Sequence, residues 1–171
     1  MWEKQIRLYL DRCAQDLEAG PATVGRIPRA DWTMLDSLFN QLRGVPLTAF
    51  EEYPILNKLQ LLGNVCRHGG GPSLRRLIAQ HPELWPREPN SQFSLPLPPA
   101  PAPLVRTTEN LLVSLDLLQS FAAAIDSFWR ETEYIYHESI ESRPEPLERL
   151  LVQERKKRAG RGRPWDPPAN A

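Results

Sequence analysis

The sequence contains little cysteine, carries no net charge and has no long hydrophobic run. Its two cysteines, Cys13 and Cys66, lack the spacing of a redox pair or a metal site and fit small core residues. Because 21 Lys and Arg balance 21 Asp and Glu, the overall charge favours neither a nucleic-acid nor a membrane partner. No run reaches roughly 18 consecutive apolar residues, and the chain does not begin with the pattern of a signal peptide. These absences predict a cytoplasmic protein without a membrane segment.

Histidine is scarce as well. The three histidines and two cysteines do not fall at the spacing of a metal site, so the sequence predicts no metal and no cofactor. What the chain does have is 41% hydrophobic residues over 171 positions, enough to bury the core of one globular domain. We expect that domain to span residues 1–153.

Proline is abundant and clustered. Of 18 prolines, six lie between Pro89 and Pro103 and five lie between Pro144 and Pro168. Repeated prolines remove amide donors and fix φ, so residues 86–103 are expected to form an extended, Pro-rich connector inside the domain. Its expected role is a stiff spacer, with a ligand for an SH3-like groove as the alternative.

Apolar residues recur at steps of three and four along most of the chain, which is the period of an amphipathic α-helix. Asp31 is placed to cap one helix that Gly44 ends, and Ser73 is placed to cap a shorter one. The strongest pattern, from about Thr108 to Ser142, predicts a long helix at the centre of the core. No alternation of period two indicates a strand, so the predicted fold is all-α. The expected helices cover residues 2–17, 32–43, 51–67, 73–80, 108–142 and a short stretch around 147–151.

A basic segment follows the last expected helix. After Glu154 the sequence contains six cationic residues and one acidic residue, Asp166. This segment therefore carries +5, and the rest of the chain carries −5. Glycines and prolines interrupt it, and we expect residues 154–171 to be a disordered tail. Three uses stay open: a nonspecific nucleic-acid contact, a docking strip for the acidic long helix of the same or another copy, or a solubilising end. The candidate contact residues are Arg155, Lys156, Lys157, Arg158, Arg161 and Arg163.

A histidine-glycine junction follows the helix expected over 51–67. Its glycines widen the range of backbone conformations, and the amides that enter the next helix point toward the same space, which is the arrangement of an anion site. Two arginines at the start of that helix add positive charge. The alternative is that the glycines only reverse the chain, with His68 capping the last carbonyls. The candidate anion- or RNA-binding residues are Gly69, Gly70, Gly71, Ser73, Arg75 and Arg76.

The junction resembles a known group of proteins. The pattern Asn-x-x-Arg-His-Gly-Gly-Gly-x-Ser is followed by His-Pro-Glu-Leu-Trp and later by Ser-Phe-Trp. This looks like bacterial proteins with an Asn-x-x-Lys-His-Gly-x-Gly-x-Ser motif that are similar to HEPN domains. The resemblance covers about residues 51–129. It implies an antiparallel helical bundle, often dimeric, that works in toxin–antitoxin or phage-defence systems.

Active HEPN members are metal-independent endoribonucleases, and the resemblance extends in part to their catalytic signature. That signature is an Arg, about four to six further residues and a His, commonly with Asn directly after the Arg. On this chain the Asn falls on Asn64 and the His on His68, whereas the Arg position holds Gly63. In an enzyme of this type His68 is the acid/base, Asn64 positions it and Arg67 is a relocated phosphate contact.

Two functions are expected from these residues. The first is a degenerate HEPN-like binding or dimerisation module that contacts RNA or a protein partner, favoured because Gly63 occupies the arginine position. The second is a metal-independent endoribonuclease with His68 as acid/base. A second alignment of the catalytic signature pairs Arg75 or Arg76 with His81. It fits the Arg-to-His spacing but has no Asn directly after the Arg. A homodimer stays open in both cases.

Overall fold

The computed structural model describes residues 2–86 and 106–168, and within these residues the fold is all-α, as the sequence predicts. The described residues contain no strand, and no helix among them has both the length and the apolar character needed to cross a membrane. Short 3-10 turns lie between several helices. This part of the chain forms seven α-helices: α1 (Trp2–Asp16), α2 (Pro21–Arg26), α3 (Trp32–Arg43), α4 (Tyr53–His68), α5 (Pro72–Gln80), α6 (Leu115–Glu138) and α7 (Glu145–Arg158).

Local capping signals set the ends of α3. Asp31 accepts a hydrogen bond from the Met34 amide at 2.8 Å, which satisfies one of the free amides of the first turn. Gly44 ends the helix in the left-handed conformation, with φ of 71°. Both features confirm the sequence prediction. Pro21 begins α2, a helix that the periodicity does not predict, because proline fits the first helical position without losing a needed amide.

The start of α5 differs from the prediction. Gly71 precedes the helix and Pro72 is its first residue, and no side chain caps it, so Ser73 is not the cap. Pro72 explains the earlier start because its fixed φ suits the first helical position. Gly71 has φ of 97° and ψ of −159°, a conformation that is essentially restricted to glycine.

The long helix α6 is shorter than its apolar pattern. It spans Leu115–Glu138 rather than Thr108–Ser142. At its start the Ser114 hydroxyl accepts a hydrogen bond at 3.1 Å from the amide three residues later, the contact of an N-cap. After its end Arg143 donates to the carbonyl of His137 at 3.2 Å and so satisfies one of the last carbonyls. Polar side chains at both ends therefore stop the helix where the apolar period would continue.

Hydrogen bonds join the described residues that flank the predicted connector on its two sides. The connector predicted over 86–103 lies outside the described residues, apart from Pro86. On its two sides, Trp85 Nε1 donates to the carbonyl of Thr107 at 2.8 Å, and the Leu112 amide donates to the carbonyl of Leu84 at 2.8 Å. These bonds hold the flanking residues together.

The chain forms two compact units, and the single domain expected over 1–153 stays a prediction of the sequence. The first unit combines Met1–Pro54 with Ala122–Ala171, and the second is Ile55–Phe121. The boundaries fall inside α4 and α6. Each helix keeps its apolar period through the boundary, which is why the pattern gives no sign of a division.

Aromatic side chains form the centre of the first unit. Phe128 of α6 is fully buried, and its ring centroid lies 4.8 Å from that of Trp2, 4.6 Å from that of Phe50 and 5.9 Å from that of Phe39. Each such aromatic pair contributes about 0.5–1.5 kcal/mol beyond the burial of its area. Aliphatic residues of α1 and α3 complete this core: Ile6, Leu10, Leu35 and Leu38.

The second unit has its own aliphatic core, which fixes α4 against α5. Trp85 and Phe121 are buried in it, and Leu77 is fully buried. The remaining buried members are Leu61, Leu62, Val65 and Leu84. Because this core immobilises the end of α4 and the whole of α5, it also defines the path of the glycines between them.

The backbone of Gly71 allows a direct test. We expect Gly71→Ala to lower the free energy of unfolding by about 2 kcal/mol, because an alanine is strained at this φ and ψ. Gly70→Ala is the matched control, since Gly70 does not have a left-handed φ and nothing lies within 4 Å of the added Cβ. Urea denaturation of both variants makes the measurement; equal losses of stability would contradict the special role of Gly71.

Candidate functional site

The α4–α5 junction, residues 63–76, holds the site residues predicted from the sequence. His68 is the last residue of α4 and is exposed. Gly69 follows in the left-handed conformation, with φ of 69°, and its amide donates to the carbonyl of Val65 at 2.8 Å. Gly69 therefore ends α4 and reverses the chain, as the alternative interpretation of these glycines expects. The His68 side chain makes no hydrogen bond to another described residue.

The guanidinium of Arg67 is directed back along α4. Its Nη2 donates to Asn64 Oδ1 at 2.5 Å, and its Nε donates to the carbonyl of Gly63 at 3.2 Å. These contacts bring together Asn64 and Arg67, two of the three catalytic candidates. They also occupy donors that a phosphate contact would need, and they engage the amide oxygen of Asn64.

The arginines of α5 are arranged differently. Arg75 and Arg76 are exposed, and neither makes an ion pair or hydrogen bond through its side chain with another described residue. Ser73 is half-buried in the first turn of α5, and the Arg75 amide donates to the carbonyl of Gly71 at 3.2 Å. The junction thus presents, just after the glycines, two cations that no carboxylate of the described residues pairs with.

His81, the histidine of the second alignment of the signature, lies in a different environment. Its Nδ1 lies 3.3 Å from Glu83 Oε1, and the same oxygen accepts a hydrogen bond from Lys58 Nζ at 2.9 Å. Burial, and next the positive charge of Lys58, lower the pKa of His81. His81 therefore belongs to a small network that links the start of α4 to the residues after α5. The described residues contain no group of three or more His, Cys, Asp and Glu placed to hold a metal ion.

The C-terminal segment, residues 155–168, differs from the disordered tail expected over 154–171. Helix α7 continues to Arg158, and both Arg158 and Arg163 are buried. Trp165 packs on Phe50 with ring centroids 4.6 Å apart. Of the three uses left open for this segment, the structure contains the docking of its cations on the acidic long helix of the same chain.

A buried carboxylate holds this segment in place. Glu131 of α6 is 5% exposed at its side chain, and its Oε2 accepts hydrogen bonds from Arg158 Nη1 at 2.5 Å and Trp165 Nε1 at 2.9 Å. Its Oε1 lies 2.8 Å from Arg163 Nη1 and 3.4 Å from Arg161 Nη2. We call this set, together with Asp166, the Glu131 cluster. Asp166 joins it through Arg158, at 3.4 Å.

The cluster keeps Glu131 ionised. Burial disfavours the charged carboxylate, but hydrogen bonds from Arg158 and Trp165 and the nearby guanidinium of Arg163 outweigh it and lower the pKa of Glu131 to about 2. Arg163 also pairs with Glu51, at 2.5 Å, which ties the segment to the residues before α4. Since removing one partner of a buried pair leaves the other charge uncompensated, the cluster is a structural requirement of the first unit.

A second ion network fastens α7 to the end of α6. Arg155 binds both oxygens of Glu138 at 2.7 Å and also reaches Glu148 Oε1 at 2.7 Å. This fork-to-carboxylate geometry is the strong form of an Arg pair. Lys157 pairs with Glu154 within α7. Among the six candidate contacts of the tail, Lys156 alone is exposed without an ion pair to a described residue.

Sequence analysis did not find two features of the first unit. Glu131 lies on the acidic long helix, and only its steps of three and four from Phe128 and Ile135 indicate that it lies beside buried positions. The sequence also gives no sign of a pocket between α1 and α6, because the aromatic residues that line it fit the apolar period of those helices.

The Glu131 cluster predicts the outcome of a conservative substitution. Glu131→Gln removes the buried negative charge that Arg158 and Arg163 share, so we expect a loss of about 3 kcal/mol of unfolding free energy. Glu133→Gln, on the exposed side of the same helix, is the matched control and should change stability little. Chemical denaturation at neutral pH measures both; equal stabilities of the two variants would show that the cluster is not required.

The low pKa of Glu131 also predicts a pH dependence. The folded-state pKa of about 2 lies below the ordinary value of 4.5, so the unfolded chain takes up the proton more readily. The stabilisation by Glu131 is therefore complete above about pH 5 and is lost as the pH falls toward 2. We expect the stability difference between the parent and Glu131→Gln to shrink over this window. A difference that stays constant from pH 7 to pH 3 would contradict the ionised cluster.

Comparison with family models, with curated proteins and with solved structures finds no match for this chain. The resemblance to HEPN-like proteins therefore rests on the motif residues alone.

Proposed function

We propose that this chain is a degenerate HEPN-like binding module that contacts the phosphate backbone of RNA through its α4–α5 junction, in a toxin–antitoxin or phage-defence setting. The observation that carries the proposal is the state of two cations, Arg75 and Arg76. Both are exposed, and both lack acidic partners among the described residues. A dimer and a protein partner stay predictions of the sequence.

The distribution of ion pairs supports this location over the C-terminal segment. Arg155, Arg158 and Arg163 are engaged by carboxylates of the first unit. An arginine held in this way offers little charge to a ligand, whereas phosphate binding depends on cations that exchange salt ions for phosphates. The arginines of α5, which have no acidic partner in the described part of the chain, meet that condition.

The chemistry of the junction fits phosphate better than an acidic side chain. Gly69, Gly70 and Gly71 carry no side chains that would shield the backbone, and Arg75 and Arg76 follow within the first turns of α5. Backbone amides at a helix start and guanidinium groups are the common donors to phosphate oxygens. Contacts of this kind position a nucleic acid without reading its bases, so we expect weak sequence preference.

The endoribonuclease alternative has one observation in its favour, which is the solvent-exposed imidazole of His68. Binding ranks first because of Arg67. Its guanidinium is bonded to Asn64 and to the carbonyl of Gly63, so a phosphate contact from Arg67 requires these bonds to open. Loss of one electrostatic contact of this type lowers a catalytic rate by roughly 100- to 1,000-fold.

RNA binding tests the proposal. We expect Arg75→Ala with Arg76→Ala to weaken binding of a fluorescently labelled single-stranded RNA by about tenfold at moderate salt, and to lower the slope of log affinity against log salt by about 1.4 for the two lost contacts. Fluorescence anisotropy at several salt concentrations measures both quantities. The matched control is Arg26→Ala with Arg29→Ala, which removes the same charge from two exposed arginines of the first unit.

Two outcomes would contradict binding at the junction: an unchanged affinity in the α5 variant, or an equal loss in the control. Incubation of the parent and of His68→Ala with RNA in EDTA decides the alternative. Cleavage by the parent that disappears in His68→Ala would establish the enzyme. We expect no cleavage by either protein, with RNA binding retained.

A further inference from the structure

A pocket with a volume of about 620 Å³ lies between α1 and α6 in the first unit. This volume falls in the range of small-molecule sites, roughly 300–1,000 Å³. One face of each helix lines it, because the lining residues recur at steps of three and four along both helices. The pocket therefore has two walls that the packing of the first unit holds in place.

Three aromatic rings form the apolar part of the lining. Tyr9 and Trp129 meet edge to face, with ring centroids 5.3 Å apart, and Trp129 also contacts Trp2, with centroids 5.9 Å apart. Trp129 is half-buried, and Tyr136 is partly exposed. Because the rings of the core fix Trp129, it offers a preformed surface to a further ring, whose aromatic contacts add to the burial of apolar area.

Charged side chains of both signs form the rest of the lining. Arg130 and Asp126 neutralise each other in an ion pair at 2.8 Å. Arg12, Asp16 and Glu133 form no ion pair or hydrogen bond through their side chains with another described residue. A ligand with a single charge is attracted by one of these signs and repelled by the other, whereas a zwitterion meets an opposite charge for each of its own.

Two of these charges have the spacing that a zwitterion of amino-acid size requires. Arg12 and Asp16 lie four residues apart on α1, so they are neighbours on one helix face, with Cβ atoms about 5–6 Å apart. Asp16 is the last residue of α1, and the last turn of this helix carries no basic residue. Because a positive charge is stabilised at the C-terminal end of a helix, this end of α1 favours an ammonium group beside Asp16.

We propose that this pocket binds an aromatic α-amino acid in its zwitterionic form. The ligand carboxylate pairs with Arg12, the ligand ammonium pairs with Asp16, and the ligand ring packs on Trp129. Glu133 supplies a second negative charge in the lining. The pocket belongs to the first unit and the α4–α5 junction to the second, so this proposal does not rest on RNA binding.

Three indole compounds test the need for both ligand charges. L-Tryptophan carries both, tryptamine lacks the carboxylate, and indole-3-propionate lacks the ammonium. We expect L-tryptophan to bind the full chain about fivefold more tightly than either analogue, since each analogue loses one exposed ion pair. Isothermal titration calorimetry makes the measurement.

Two substitutions assign the charges to their partners. Arg12→Gln should weaken L-tryptophan and indole-3-propionate about fivefold without weakening tryptamine, and Asp16→Asn should weaken L-tryptophan and tryptamine about fivefold without weakening indole-3-propionate. The matched controls are Arg29→Gln and Asp116→Asn, which change exposed residues outside the lining and should leave all three affinities unchanged. Because all four residues are exposed, each variant should keep a Tm close to that of the parent.

Three results overturn the proposal. The first is the absence of L-tryptophan binding, and the second is an analogue that binds the parent as tightly as L-tryptophan does. The second result would show that the ring contact alone accounts for binding. The third is an Arg12→Gln or Asp16→Asn variant that weakens all three compounds equally, because a charge pair acts only on the ligands that carry the matching charge.

Discussion

The first unit depends on a buried negative charge that must be neutralised from a distant part of the sequence. Glu131 is buried on α6, where an unpaired carboxylate would be expensive. Arg158 and Arg163 supply the compensating charges, and Trp165 supplies a third donor. Since these residues lie 27 to 34 positions further along the chain, satisfying Glu131 requires α7 and the residues after it to fold back. The packing of Trp165 on Phe50 and the closure of the aromatic core are consequences of that requirement.

This constraint changes the meaning of a net charge of zero. Most of the cations of the C-terminal segment form ion pairs with carboxylates of the same unit. Examples are Arg155 with Glu138 and Arg163 with Glu51. Cations that serve the fold cannot at the same time serve a polyanionic partner. Arg75 and Arg76, which lie in the second unit beside a glycine turn, have no carboxylate partner among the residues that the structure describes.

Local interactions could be predicted from the sequence, and distant ones could not. The Asp31 cap and the Gly44 end of α3 depend on neighbours within four residues, so the pattern alone locates them. The limits of α6 depend on single side chains such as Ser114, which override the apolar period. The C-terminal segment was expected to be disordered because its local composition is polar and basic, and nothing nearby reveals its pairing with Glu131. At the junction the glycine turn was predicted, whereas the bond from Arg67 to Asn64 required the coordinates of both side chains.

Hydrogen–deuterium exchange of the C-terminal segment tests its folding by Glu131 most directly. In the folded segment the Ala159 amide donates to the carbonyl of Arg155 at 2.9 Å, and the Asp166 amide donates to that of Arg163 at 3.1 Å. If the Glu131 cluster holds the segment, these amides exchange far more slowly than those of an unstructured peptide, and their protection approaches that of α3. Exchange at the unprotected rate throughout residues 155–168, with α3 still protected, would show instead that this part of the chain is a free basic tail.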